Sequence, residues 1–267
     1  GRGCIKANYS NTTYKNLQIK DNLIIGAKRT PVYIGNHDGS APVEHFVFEG
    51  NYVDGSEIDN DNVIGYGIET KLNVYDCLIR NNFITGTQGP GIMVYGTDEN
   101  NSERASVVKG NVVNGSRKNP GIVVGAGPAT VENNLVFNCK SGGISVDDYG
   151  GRNLLDYVTV TRNTAFMNHS YDFGFLTLDP GTHLEITNNL AYKYQNVTSF
   201  RDLPESREGS GIEIIVSNNR SQPITAEIET AIAEMEKNHP LSNLSSVLGQ
   251  HLSNGPLTSG EIVELFE

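Results

Sequence analysis

Asparagine recurs along this chain at a nearly constant interval, and that recurrence constrains the fold more than any other feature. Seven segments align on it: Asn22, Asn51, Asn82, Asn111, Asn134, Asn163 and Asn189. The successive spacings are 29, 31, 29, 23, 29 and 26 residues. A period of this size with variable insertions is typical of a solenoid, because each coil contacts only its neighbours and loops can lengthen on one side.

The residues flanking each asparagine repeat as well. Three residues before it the chain always carries an apolar residue: Ile19, Phe48, Ile79, Val108, Val131, Val160 and Ile186. Two residues after it comes another apolar set: Ile24, Val53, Ile84, Val113, Val136, Ala165 and Ala191. The position two before the asparagine is always polar, from Lys20 to Thr187. This alternation predicts short strands with one face inward, and it predicts a solvated face for the polar row.

A second strand signal follows in most coils, as PVYIG, YGIETK, GIMVYG, GIVVGA, GGISVDD and FGFLTLD. No helical pattern separates the two signals, so each strand is expected to stack parallel on its counterpart one coil away. The asparagines then form a ladder in which each side-chain amide bonds the next, as amides do in cross-β stacks. The predicted fold is an all-β, right-handed, single-stranded parallel β-helix.

The pattern also predicts where the solenoid stops. We expect a β-helix over residues 1–220, with GIEIIV at 211–216 as its last strand, and a helical tail over 221–267 that packs on or caps the solenoid. The segments TAEIETAIAEMEKN, LSNLSSVLGQHL and SGEIVELFE are the expected helices. The N-terminal end resembles a coil without a cap, so we expect further coils or domains of the same protein upstream.

Composition excludes several classes of partner. The chain has 31 acidic and 20 basic residues and a formal charge of −11, which argues against nucleic acid as a partner. No apolar stretch approaches the roughly 18 residues of a membrane span, so membrane insertion is not expected. Cys4, Cys77 and Cys139 are interpreted as ordinary thiols, with Cys77 in the core.

The repeated NN-[LFV]-[IV] turns followed by G-[IF]-x-V strands resemble the pectate-lyase-like superfamily of right-handed β-helices, over roughly residues 3–216. That superfamily includes polysaccharide lyases, mannuronan epimerases, polygalacturonases and phage tailspikes. The resemblance implies a polysaccharide partner and a secreted, cell-surface or periplasmic location. The DPHD motif of the epimerases is absent, and no single family of the superfamily is assigned.

Superfamily substrates usually lie along one stacked sheet, and the G-[IF]-x-V strands allow that face to be reconstructed. The first outward row is predicted as Tyr33, Glu69, Met93, Val123, Ser145 and Leu176, and the second as Gly35, Lys71, Tyr95, Gly125, Asp147 and Leu178. In the second row Gly125 leaves a gap between Lys71 with Tyr95 and Asp147, and a sugar ring would fit there. Lys71 or Tyr95 is then the base that removes the proton α to a uronate carboxylate.

Acidic residues at the strand ends leave two further alternatives open. Asp147, Asp148 and Asp179 supply the oxygen ligands that calcium prefers, and calcium is the only expected cofactor. Alternatively, Asp148 and Asp179, one coil apart, form a glycosidase pair, or Asp147 and Asp148 divide the two roles. The residues expected to bind substrate are Tyr33, His37, Glu69 and Arg152, with Asp38 beside His37.

These observations predict a carbohydrate-active enzyme, a polysaccharide lyase or glycoside hydrolase, acting by uronate β-elimination or glycosidic hydrolysis on an extracellular polysaccharide. The alternative is a non-catalytic polysaccharide-binding, adhesin or tailspike-type module that uses the same face only to hold sugar.

Overall fold

The chain folds as a right-handed parallel β-solenoid, as predicted. The structure is a computed structural model that describes residues 5–58, 64–96, 102–148, 155–176, 183–209, 211–238 and 255–266. Each coil passes through three long parallel sheets, here called A, B and C, and a short corner sheet lies between A and B in the early coils. Sheet A carries the predicted second strand signal, while sheets B and C precede and follow the asparagines.

The strands of each sheet stack in chain order. Sheet A contains β1 (Ile5–Ala7), β5 (Val32–Ile34), β9 (Ile68–Thr70), β13 (Ile92–Val94), β16 (Ile122–Val124), β19 (Gly142–Asp147), β22 (Tyr171–Leu176) and β25 (Thr198–Arg201). The corner sheet contains β2 (Tyr14–Lys15), β6 (Val43–Glu44) and β10 (Val74–Tyr75). Sheet B contains β3 (Gln18–Lys20), β7 (Val47–Glu49), β11 (Leu78–Arg80), β14 (Ser106–Lys109), β17 (Ala129–Glu132), β20 (Val158–Thr161), β23 (His183–Thr187) and β27 (Ile212–Ser217). Sheet C contains β4 (Leu23–Ile24), β8 (Tyr52–Asp54), β12 (Phe83–Thr85), β15 (Val112–Asn114), β18 (Leu135–Phe137), β21 (Thr164–Phe166), β24 (Leu190–Lys193) and β28 (Arg220–Pro223).

Two short elements depart from this pattern. Strand β26 (Arg207–Gly209) pairs antiparallel with β27 and covers the last edge of sheet B. A single 3₁₀ turn, Ser102–Arg104, precedes β14. The three-residue β26 thereby replaces the six-residue β27 as the edge strand of sheet B, and short edge strands are less prone to pair with other chains.

The asparagine ladder forms at the turn between sheets B and C. The Nδ2 of each asparagine donates to the Oδ1 of the next, at 2.9–3.0 Å, and its backbone N–H donates to the same oxygen. The ladder continues past the predicted set to Asn219, whose Oδ1 accepts from Asn189 at 2.9 Å. Asn219 was missed because the residue two positions after it is the polar Ser221.

The residue before each asparagine explains the recurring NN, DN and GN dipeptides. It adopts a positive φ at every rung, from 55° at Asp21 and 66° at Gly50 to 54° at Asn218. Glycine, asparagine and aspartate tolerate this left-handed conformation better than other residues. The dipeptide therefore encodes both the bend of the turn and the ladder that holds it.

The core runs along the axis of the solenoid and is built from the two predicted apolar rows and the inward residues of sheet A. Cys77 is buried in it, as predicted, and Cys4 lies outside the described residues. Glycine is required at the corner that precedes sheet A, at Gly67, Gly91, Gly121 and Gly143. A Cβ at Gly67 would lie 2.5 Å from the carbonyl oxygen of Gly91, and a Cβ at Gly121 would lie 2.4 Å from Val136.

The helical tail lies along the solenoid rather than across its end. Helices α1 (Ala226–Asn238) and α2 (Ser259–Phe266) pack their apolar faces on the outer side of sheet C. Tyr192 of β24 donates its hydroxyl hydrogen to the carbonyl oxygen of Leu257, at 2.9 Å. The predicted middle helix, LSNLSSVLGQHL, lies outside the described residues. In the part of the chain that is described, no helix is long and apolar enough to cross a membrane.

Candidate functional site

The outer face of sheet A aligns its side chains in the predicted rows through the sixth coil. Strand pairing places Tyr33 beside Glu69, Glu69 beside Met93, Met93 beside Val123 and Val123 beside Ser145. In the second row Lys71, Tyr95, Gly125 and Asp147 directly follow paired residues, so they stack in that order. With coils about 4.8 Å apart, Lys71 and Asp147 are about 14 Å apart along the row.

Lys71 is the centre of a compact polar cluster on this face. Its Nζ lies 2.5 Å from Glu69 Oε1, 4.0 Å from the centroid of the Tyr95 ring and 5.6 Å from that of Tyr33. The Lys71 side chain is 13% exposed and that of Glu69 is 3% exposed. The predicted contact between Lys71 and Tyr95 is therefore present. Lys71 also forms an ion pair with Glu69, in which both side chains are largely buried.

Burial shifts the titration of the groups around Lys71. Desolvation raises the pKa of the Glu69 carboxyl, and the charge and hydrogen bond of Lys71 partly oppose that rise. Desolvation, followed by the Glu69 charge, raises the pKa of the Tyr33 hydroxyl to about 12. A buried carboxyl with a raised pKa beside a cation marks a candidate functional position, although structural ion pairs produce the same signature.

The middle of the first row is covered, which corrects the expectation of an open groove. Met93, Val123 and Ser145 point outward from the sheet, yet each is at most 3% exposed. Tyr66, from the segment before β9, packs with Met93 and Val123, and Tyr95 packs against that group. Alternation along a strand reports which face a side chain occupies, but not what covers that face.

The predicted rows are wrong in the seventh coil. Ser145 pairs with Gly174 rather than Leu176, and Asp147 pairs with Leu176 rather than Leu178. Phe173 takes the inward position that Ile144 holds one coil earlier, so Asp172 occupies the corner position that glycine holds in the four preceding coils. The two-residue shift removes the geometric basis for stacking Asp179 on Asp148. Asp179, Leu178 and Arg152 lie outside the described residues.

The remaining candidates occupy separate positions. Asp147 is half-buried at the end of β19, whereas Asp148 is only 5% exposed and interacts with other groups. His37 and Asp38 are exposed in the loop after β5. A hydrogen bond from the Ser40 backbone N–H lowers the pKa of the Asp38 carboxyl.

The expected calcium site is not assembled from the described side chains. No group of three or more His, Cys, Asp or Glu residues within the described ranges is placed to hold a metal ion. Of the three expected ligands, Asp147 and Asp148 are described and Asp179 is not. Calcium binding here stays a prediction, as do the catalytic and substrate-binding roles of the other named residues.

Sequence reasoning missed a second polar group, on the outer face of sheet B. His183 Nδ1 lies 3.2 Å from Asp156 Oδ1, and the His183 ring stacks on Tyr157 with centroids 4.3 Å apart. Tyr157, His183 and Glu213 each lie six residues before a ladder asparagine. The polar row beside the asparagines predicts only a solvated face on sheet B, whereas the row six residues before them carries the signal for this group.

Comparison with known proteins supports the fold and goes no further. Residues 1–156 match the family model described as "Right handed beta helix region". No curated protein and no solved structure matches the chain. Since the match covers more than half of the sequence and the described coils continue the same stack, the chain belongs to the right-handed β-helix family.

Proposed function

We propose that the chain is a carbohydrate-active enzyme that cleaves a uronate-containing extracellular polysaccharide by β-elimination on the outer face of sheet A. The β-helix fold is compatible with polysaccharide-acting enzymes and with binding modules, so the site must carry the argument. The observation that carries it is the position of the Lys71 ammonium, 2.5 Å from a buried carboxylate and 4.0 Å from the centre of a phenol ring.

Lys71 is better suited to hold a substrate carboxylate than to act as the base. Glu69 Oε1 lies within ion-pair distance of the Lys71 ammonium and holds it at a fixed place beside the sheet. A fixed ammonium can neutralise the carboxylate of a bound uronate. That neutralisation makes the proton on the adjacent carbon easier to remove, because negative charge develops on that carboxylate as the proton leaves.

Tyr95 then becomes the candidate for moving the proton. In the proposed step, the deprotonated Tyr95 hydroxyl takes the proton α to the uronate carboxylate, and the electron pair left behind forms a carbon–carbon double bond. The glycosidic carbon–oxygen bond at the β carbon breaks, and the leaving oxygen takes the proton from the Tyr95 hydroxyl, which returns to its deprotonated form. Asp147 lies two coils beyond Tyr95 in the same row, with the buried Gly125 between them, and its carboxylate can accept hydrogen bonds from sugar hydroxyls.

Hydrolysis receives less support from the described residues. A retaining or inverting carboxyl pair needs a separation of about 5–9.5 Å. Glu69 and Asp147 lie three coils apart, a spacing of about 14 Å along the sheet. The pair of Asp148 with Asp179 lost its geometric basis with the corrected register.

The test is incubation with a panel of uronate polymers, following the ultraviolet absorbance of the unsaturated product. We expect activity in the natural chain, loss in Tyr95→Phe and Lys71→Met, and no change in Tyr9→Phe, which alters a 77% exposed ring. Lys71→Arg keeps the charge beside Glu69 and controls for folding. Full activity in both Tyr95→Phe and Lys71→Met would refute the site.

A binding module is the second candidate, and one observation favours it. Lys71 is already engaged by Glu69 and two aromatic rings, and only 13% of its side chain is exposed, so the cluster also suits a rigid platform. Reducing ends without ultraviolet absorbance would indicate hydrolysis. Retardation of the chain in polymer-containing gels, without any product, would indicate binding alone.

A further inference from the structure

A cleft of about 260 Å³ lies on the outer face of sheet B, whereas Lys71 lies beside sheet A. Its floor includes the outward residues Thr130 and Thr159, which pair on adjacent strands. Tyr157, His183 and Glu213 line it as well. Nothing in the proposed reaction on sheet A uses these residues.

The imidazole of His183 is held in one orientation. Asp156 Oδ1 accepts the backbone N–H of Tyr157 at 2.9 Å and that of His183 at 2.9 Å. The same oxygen lies 3.2 Å from His183 Nδ1, so the proton of a neutral imidazole resides on Nδ1. The other nitrogen, Nε2, is directed towards Glu213, whose Oε2 is 3.9 Å away. The hydrogen bonds to Asp156 therefore hold the His183 ring in place, with its Nε2 edge as a polar part of the cleft lining.

Tyr157 contributes an aromatic surface from an unusual backbone conformation. Its φ is +53°, at a corner where earlier coils carry Asn16, His45 and Asp76 with the same sign of φ. Those three residue types are enriched in this conformation, whereas a bulky aromatic residue rarely adopts it. The conformation places the phenol ring parallel to the His183 imidazole, with 8° between the planes. Backbone outliers of this kind concentrate at ligand sites.

The charges around the cleft select against anions. Glu185 and Glu213 line it, and Asp156 lies directly behind His183. Among the described residues that line it there is no lysine or arginine. Carboxylates accept hydrogen bonds from paired hydroxyl donors, and threonine hydroxyls both donate and accept. No metal-binding group of three ligating residues is formed within the described ranges, so a hydroxyl-rich organic ligand fits the lining better than a cation.

We propose that this cleft binds a neutral hexose residue of an oligosaccharide, with a sugar face against the Tyr157–His183 pair and sugar hydroxyls on Glu213 and Glu185. The cleft volume of about 260 Å³ falls just below the range of roughly 300–1,000 Å³ that is typical of ligand pockets. The cleft therefore suits a ligand no larger than one or two sugar rings. The uronates proposed for sheet A are disfavoured here by carboxylate repulsion. This second site is independent of the elimination reaction.

The experiment is isothermal titration calorimetry of the full chain with neutral gluco-, galacto- and manno-oligosaccharides, and with oligogalacturonate for comparison. We expect at least one neutral series to bind, and affinity to fall about tenfold or more in Tyr157→Asn and in Glu213→Gln. Asparagine is chosen at position 157 because it tolerates the positive φ. We also expect the His183 ring resonances, assigned with His183→Gln, to shift when the sugar binds.

Matched variants separate this inference from the function proposed for sheet A. Lys71→Met should leave the neutral-sugar affinity unchanged, whereas Tyr157→Asn should leave any uronate cleavage unchanged. The proposal is overturned if none of the neutral series binds, if binding survives both Tyr157→Asn and Glu213→Gln, or if oligogalacturonate competes equally for the cleft.

Discussion

Removing one interior rung of the asparagine ladder should destabilise the solenoid far more than removing its first rung. Asn111 is fully buried, and its Oδ1 accepts from the backbone N–H of Asn82 at 3.1 Å and from Asn82 Nδ2 at 2.9 Å. Its Nδ2 donates to the carbonyl oxygen of Ile79 at 2.9 Å and to Asn134 Oδ1 at 3.0 Å. Asn111→Ala removes all four hydrogen bonds.

The expected cost follows from what each partner retains. Asn82 Nδ2 keeps its bond to the carbonyl oxygen of Phe48, and Asn134 Oδ1 keeps the backbone N–H of residue 111. The backbone N–H of Asn82 loses its side-chain acceptor, and the Ile79 carbonyl loses a donor. At about 1–3 kcal/mol for each of these two buried groups left unsatisfied, the total is about 2–6 kcal/mol. That is a large part of the 5–15 kcal/mol by which domains are typically stable.

Asn22→Ala is the matched control, because Asn22 is the first described rung and is exposed. Its Nδ2 donates to Asn51 Oδ1 at 3.0 Å and to the carbonyl oxygen of Lys20 at 2.7 Å. Water can replace both bonds, so the expected cost is about 1 kcal/mol. Urea unfolding followed by circular dichroism measures both variants. If the unfolding free energies of the two variants differ by less than about 1 kcal/mol, the ladder does not stabilise the fold in the way argued here.

Three further predictions concern buried groups outside the ladder. Burial raises the pKa of the Asp172 carboxyl from 3.8 to about 8. Between about pH 5 and pH 7 the folded state therefore retains a proton that the unfolded state loses. The free energy of unfolding should fall by about 1.4 kcal/mol per pH unit over that range. Asp172→Asn should abolish that slope in unfolding titrations, and an unchanged slope would contradict the assignment. Phe266→Ala should cost about 3 kcal/mol in the same assay, because the Phe266 ring packs edge-on against Phe137 at 5.6 Å; a cost below about 1 kcal/mol would mean that α2 contributes little to the fold. Gly143→Ala should lower the melting temperature, because the added Cβ would lie 2.4 Å from the Asp172 carbonyl oxygen. Gly260→Ala, in helix α2, should raise stability by about 0.5–1 kcal/mol, because no atom lies within 4 Å of the added Cβ. Equal effects of the two variants would count against the steric argument.

The repeat made most of the solenoid predictable. Residues one coil apart occupy equivalent environments, so the ladder, the two apolar rows and the neighbouring positions of Lys71 and Tyr95 follow from counting along the chain. Prediction failed where a coil departs from its neighbours. The substitution of Asp172 at a corner glycine position shifted the inferred register by two residues and misplaced the residues expected beside Asp147.

The amino-acid sequence by itself determined the architecture, because a pattern that occurs seven times at a regular interval specifies which side chains must stack, whatever the loops between them do. Only the tertiary structure decided what covers that stack: Tyr66 packs over Met93, and α1 and α2 pack on sheet C rather than across the end of the solenoid. It also placed Asp156, which is outside the row of His183, against the His183 imidazole of the next coil. Such contacts join residues that occupy different positions of the repeat or lie outside it. Their geometry depends on the paths of the connecting loops, which the periodicity does not encode.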